Sequence, residues 1–233
     1  MVKIGEVQCR SAGSVARWHA LALACGAALL VGGCGDESGG DGEEGVPAPE
    51  VVTLYPDAEP LPGESECKVV VTTKIHVGEV THVAPCSEVE YGTNPPSGGD
   101  HWEIWASYRK YTIPVPRPLY VHNQEHGAVV LSYKCTDDCP EVVTMLGQVM
   151  DGVTSDAICN NTLPPVTSRM LMAPDPEIPT PIAASAWGAT YTATCIDMES
   201  LTSFVSDVYG KGTEETCWDG RNIEGSNVTL CEE

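Results

Sequence analysis

Apolar and polar positions alternate in blocks along the second half of the chain. Val69-Val70-Val71-Thr72 is a β-branched run and predicts a strand. Val129-Val130-Leu131-Ser132-Tyr133, directly after Gly127, predicts a second. Pro140 suits the first turn of a helix that runs to Met150 and stops at Gly152, with Asp138 as a nearby cap. Val142, Val143, Leu146, Val149 and Met150 fall on one face of that helix. Met170-Leu171-Met172 predicts a short strand before a Pro-rich turn, and Ile182 to Thr194 a strand-like stretch interrupted by Gly188. A second helix is predicted over 199–209, with Leu201, Phe204, Val205 and Val208 inward and Gly210 and Gly212 ending it. The order strand, strand, helix, strand, strand, helix predicts an α+β domain. It is a mainly antiparallel sheet with two helices on one face.

The amino terminus has a different pattern. Lys3, Arg10 and Arg17 precede an apolar run from Leu21 to Val31, too short to span a bilayer comfortably. It ends Leu30-Val31-Gly32-Gly33-Cys34, the pattern of a bacterial lipoprotein signal. Residues 1–33 therefore read as a signal peptide, and Cys34 as the lipidated first residue of the mature chain. The expected location is extracytoplasmic, held to a membrane by lipid, with the outer membrane or cell surface favoured. From Gly35 to Glu66 there are ten acidic residues, no basic residue, and many Gly and Pro. Residues 34–66 thus read as a lipidated Cys and an acidic disordered tether, 67–217 as one α+β domain, and 218–233 as a C-terminal tail.

Composition narrows the function. The 233 residues carry 12 Lys and Arg against 33 Asp and Glu, a net charge of −21. Nucleic-acid binding needs a basic face and is excluded as an expectation. There are 11 Cys. Removing the signal and lipidating Cys34 leaves Cys67, Cys86, Cys135, Cys139, Cys159, Cys195, Cys217 and Cys231. An even number in an exported chain reads as a disulfide set whose pairing the sequence leaves open. Cys67 with Cys86, and Cys217 with Cys231, are the favoured pairs. Cys135-Thr-Asp-Asp-Cys139 suits a local bridge, or two partners for distant Cys.

Between Cys86 and Ala128 lies a long loop segment rich in Pro, Gly and aromatics. Loops this long in a compact domain are usually functional. Trp102, Trp105, Tyr108 and Tyr111 within it could line a ligand groove, and read rather as the lid of a small core. His82, His101, His122 and His126 sit in or beside it. Imidazole is a common ligand for Zn and Cu, so these four residues are candidate ligands, with Glu125 as ligand or as the acceptor that fixes a His tautomer. His122 and His126 would share one side of a helix. Gly127 and the β-branched run after it favour a turn entering a strand instead. His122-x-x-Glu125-His126 also matches the inverted zinc-protease signature. That gives an alternative with His122, His126 and His101 as ligands and Glu125 as general base. A third reading is a non-catalytic surface interaction domain in which the His are structural.

The chain also resembles the bacterial family named domain of unknown function 3105. The resemblance rests on Gly78 to His82, Tyr91 through Pro95-Pro96 to His101, and Tyr111 with Pro114 and Pro116. It continues through His122-Asn-Gln-Glu125-His126-Gly127, Ala186-Trp187-Gly188, and Phe204 to Tyr209. It covers roughly residues 68–215. Two places depart from the family pattern, the order Ser97-Gly98-Gly99-Asp100 and the polar Gln124. The resemblance implies a fold and a His-centred site, and no established activity.

Overall fold

The computed structural model describes residues 45–135, 138–225 and 231. The signal peptide, Cys34 and the first part of the expected tether lie outside them, as do residues 226–230 of the tail.

The described chain runs β1 (Glu50–Leu54), β2 (Val69–Thr73), β3 (His82–Val83), β4 (His101–Trp102), α1 (Arg117–Glu125), β5 (Val129–Tyr133), α2 (Pro140–Gly152), β6 (Met170–Pro174), β7 (Ile182–Ala186), β8 (Ala189–Ala193) and α3 (Met198–Val208). Six strands form one sheet in the order β1-β2-β8-β7-β5-β6, and β3 and β4 form a separate parallel pair. Every neighbour in the large sheet is antiparallel except β5 and β6. The fold is α+β. Gly188 at φ 71° makes the tight β7–β8 turn that the sequence marked as an interruption.

The alternation of β5 and β6 divides the interior in two. Val129, Leu131, Met170 and Met172 join Val142, Leu146, Leu201, Phe204 and Val205 of α2 and α3 in one core. Val130, Leu171 and Ala173 face the other way, where Leu119, Tyr120 and Val121 of α1 pack with Trp102 and Tyr111. The period of two in a strand sends neighbouring residues to opposite faces, so a continuous apolar run means that both faces are covered. The long loop segment and α1 form the second cover, and of the four aromatics expected as its lid Trp102 and Tyr111 belong to its core, whereas Trp105 lies against His122 and His126.

Four expectations need correction. Residues 117–125 are a third helix, not a turn entering a strand. Pro118 lies in its first turn, and Gly127 at φ 82° follows it as the residue able to leave the helix in the left-handed region. Residues 50–54 are strand β1, and Leu61 is buried in the first core, so the folded chain starts before Cys67. Three Val and Thr in five residues supplied a strand signal that the surrounding acidity masked. Part of the tail is also packed: Ile223 is buried, and Arg221 bridges to Ala106. Asp138 is not the cap of α2. The N-cap is Cys139, without a side-chain cap hydrogen bond.

The disulfides are Cys67–Cys195, Cys86–Cys231, Cys135–Cys139 and Cys159–Cys217. This overturns Cys67–Cys86 and Cys217–Cys231 and bears out the local bridge. The reason is register. β2 pairs β8 with Val69 opposite Ala193, and two more places along that ladder put Cys67 opposite Cys195. Such a set indicates an extracytoplasmic location. Among the described residues no helix is long and apolar enough to cross a membrane.

Candidate metal centre

Three short elements build the site. β3 and β4 pair in parallel with His82 directly opposite His101. The turn before His101 is fixed by Asp100, which accepts from the Thr81 amide (2.7 Å), while Tyr91 donates to the Asp100 carbonyl (3.0 Å). Gly98 and Gly99 hold φ values of 124° and 115° there, so the departure in this turn places glycine where glycine is required. α1 contributes His122 and Glu125, three residues apart on one side.

α1 is buried along nearly its whole length although four successive residues are polar. Each of the four side chains has a polar contact, although Oε1 of Gln124 is buried without a hydrogen-bond partner among the described residues. Asn123 donates to the Ala106 carbonyl (2.7 Å) and accepts from its amide (3.0 Å), which clamps the loop onto the helix. Gln124, the second departure, donates to the Pro96 carbonyl and to Ser185 of β7. A buried helix without an apolar stripe has no amphipathic signature, which is why periodicity missed it.

His82, His101, His122 and Glu125 come together, with their potential ligand atoms all within 4.8 Å of one another. Tetrahedral ligation at about 2.0–2.1 Å would place such atoms about 3.4 Å apart, so a modest contraction is needed. His101, His122 and Glu125 are buried, while the His82 side chain is 42% exposed and free to make that movement. Oε2 of Glu125 lies 3.0 Å from Nε2 of His101 and 3.2 Å from Nε2 of His82.

The ring nitrogens are sorted by the backbone. Nδ1 of His101 donates to the Gly99 carbonyl (2.8 Å), and Nδ1 of His122 donates to the Trp102 carbonyl (2.6 Å). In a neutral ring the other nitrogen, Nε2, then carries a lone pair. The Nε2 lone pair of His101 faces a carboxylate oxygen. Two acceptors at 3.0 Å need a cation between them, either a proton or a metal ion. Burial pushes His122 down to about 4, so its ring is neutral at neutral pH and its free nitrogen is ready to ligate. Burial works to raise Glu125, but a proton shared with Nε2 of His101 and charge on the neighbouring imidazoles outweigh it and hold the carboxyl below its ordinary value.

His126 is not brought into this set. Its Nε2 lies 3.4 Å from Glu214, and its Nδ1 is buried without a hydrogen-bond partner among the described residues. Burial pushes its imidazole down to about 3. The zinc-protease assignment, with His122 and His126 as ligands and Glu125 beside them, therefore differs from the geometry, which gathers Glu125 and leaves His126 out.

Sequence reasoning missed the outer supports. Residues 210–221 cross the end of α1. Glu214 donates its amide to the Glu125 carbonyl (3.0 Å), and Thr213 reaches Oε1 of Glu125 (3.4 Å). Gly212 sits so close that a Cβ would lie 2.0 Å from the Glu125 carbonyl oxygen. Trp105 packs tilted against His122 (4.9 Å) and edge-on against His126 (4.7 Å), and its indole donates to the Trp218 carbonyl. Gly210 and Gly212 were legible only as a helix stop, and no local pattern announces a contact 88 residues away.

A family model described as "Protein of unknown function (DUF3105)" matches residues 82–219, a span that opens on His82 and includes all four clustered residues. No curated protein and no solved structure matches the chain.

Proposed function

Because this chain belongs to the DUF3105 family, whose function is unknown, we propose its function from its site: it binds one transition-metal ion through His82, His101, His122 and Glu125, without turnover. The observation that carries the reading is the orientation of His101. Its Nδ1–H is spent on the Gly99 carbonyl, and its Nε2 faces Glu125 at 3.0 Å. Three nitrogens and one oxygen, with no sulfur in the set, suit borderline ions such as Zn or Cu(II) and disfavour Cu(I).

The protein is exported and anchored by lipid at Cys34, with an acidic spacer between anchor and domain. The signal pattern and the disulfide set support this. Labelling with a fatty-acid analogue that persists in Cys34→Ala would sink it.

Metal analysis of protein purified without a His tag tests the main reading. One equivalent of Zn or Cu, or uptake of one equivalent on titration, is expected. Trp105 stands beside His122 and provides a fluorescence signal for that titration. Absence of both stoichiometric metal and uptake would remove the proposal.

A further inference from the structure

The first core does not end where its helices end. Val52 and Leu54 of β1 stand opposite Val71 and Val69 of β2, so they continue the sheet face that α2 and α3 cover. Among the described residues no helix covers them: Val52 is 53% and Leu54 39% exposed. Between β1 and α3 lies a groove of about 690 Å³ with Leu54, Val71, Phe204 and Val208 among its lining. Its rim carries Asp57, Asp197, Glu199 and Asp207, and none of its lining residues is basic.

β1 is also an edge. Its only pairing among the described residues is with β2, which leaves its outer backbone groups open. Edge strands are usually protected by inward charges, Lys, Pro or bulges. Residues 51–54 are Val-Val-Thr-Leu and have none of these. Glu50 at the start of β1 is tied to Lys74, and the uncharged remainder of this edge, beside a groove that holds Leu54, Val71, Phe204 and Val208, is the geometry for strand addition, where backbone bonds give affinity and alternate side chains give specificity.

We propose that β1 and this groove receive an extended segment of a partner protein, with apolar side chains alternating with Lys or Arg. The acidic rim selects the occupant. A second copy would bring two acidic rims together in a chain of net charge −21, whereas a basic segment pairs with them. This surface is independent of the metal reading.

The test uses the full chain and three dye-labelled peptides of about nine residues, long enough to span β1. One alternates Lys and Val, one has the same composition in two blocks, and one alternates Glu and Val. Fluorescence anisotropy is expected to give the alternating Lys–Val peptide an affinity about tenfold or more above the other two. Its binding weakens about fivefold in Asp57→Asn/Asp207→Asn, at two exposed rim positions, and about tenfold in Val52→Lys. Amide exchange slows across 51–54 when the peptide is bound. Equal binding of the block peptide would mean bulk charge alone and overturn the proposal, as would unchanged affinity in the rim variant. A dimer of the unliganded chain that Val52→Lys dissolves would make the occupant a second copy, and would also overturn it. Should Val52→Lys fail to fold, the rim variant decides.

Discussion

Nε2 of His101 lies 3.0 Å from Oε2 of Glu125, joining a two-residue strand to the last residue of a helix 24 positions later. Both side chains are buried, and the other nitrogen of His101 is tied to Gly99. A carboxylate and an imidazole lone pair held together in this way are a place for a cation.

Glu125→Gln separates the two metal readings. If Glu125 is a ligand, the variant loses the negative donor and weakens metal binding by about tenfold to 100-fold. If it were a base beside a bound ion, metal would be retained and only turnover lost. Isothermal titration of both proteins with Zn decides.

His126→Ala is expected to leave metal affinity within about threefold, well below the tenfold or more expected for a change that touches the ligands. His126 directs its Nε2 to Glu214 and is outside the cluster. The cost is to folding, because a fully buried side chain is truncated. A large loss of metal with intact stability would return His126 to the ligand set.

His82→Ala and His101→Ala are expected to differ in the metal-free protein. His101 is fully buried and its ring is bonded on both sides, so its loss strands the Gly99 carbonyl and costs about 1–3 kcal/mol. His82 is 42% exposed and its removal costs less stability. Both weaken metal binding. Urea denaturation of each variant, with and without Zn, reads the difference.

Acid destabilises the metal-free fold in two stages. His122 and His126 are pushed down to about 4 and about 3 from an ordinary 6.5. The unfolded chain therefore takes up protons first, and stability falls as pH drops below about 6.5 towards these folded values. Asp156 follows at lower pH. Burial works to raise it, but Arg169 at 2.7 Å, Tyr209 and two backbone amides hold it below its ordinary 3.8. Its contribution is present above the unfolded value and is lost as pH falls through the folded one. Asp156→Ala leaves Arg169 buried without its carboxylate and costs about 3–5 kcal/mol. Denaturation midpoints between pH 8 and pH 3 that rise on acidification would contradict this.

Non-reducing peptide mapping is expected to recover Cys67–Cys195, Cys86–Cys231, Cys135–Cys139 and Cys159–Cys217. Replacing Cys67 and Cys195 by Ala costs about 2–5 kcal/mol, and replacing Cys135 and Cys139 costs less, because a short loop constrains the unfolded chain less.

The sequence by itself determined the elements whose period was clean. β5 is found at the predicted 129–133, α2 opens at Pro140, and the interruption at Gly188 is the turn of a hairpin. It also named His82, His101, His122 and Glu125, because few side chain types ligate metals and these lay close to one long irregular segment. Tertiary structure decided the rest. α1 is buried with four polar residues in its second half, so besides the packing of Leu119, Tyr120 and Val121 it depends on hydrogen bonds to Ala106, Pro96 and Ser185, which no local stripe announces. Strand β1 depends on β2 fifteen residues later, and its acidic neighbours hid it. The disulfides follow the antiparallel register of β2 and β8, which spacing along the chain does not encode. Membership of the cluster was settled the same way. His122 and His126 are equivalent in sequence, and the strap at 210–221 places Glu214 beside His126 while β3 and β4 bring His82 and His101 to Glu125. Local propensity is read from neighbours in sequence, whereas the ligand set, the bridges and the buried polar helix are fixed by partners far along the chain.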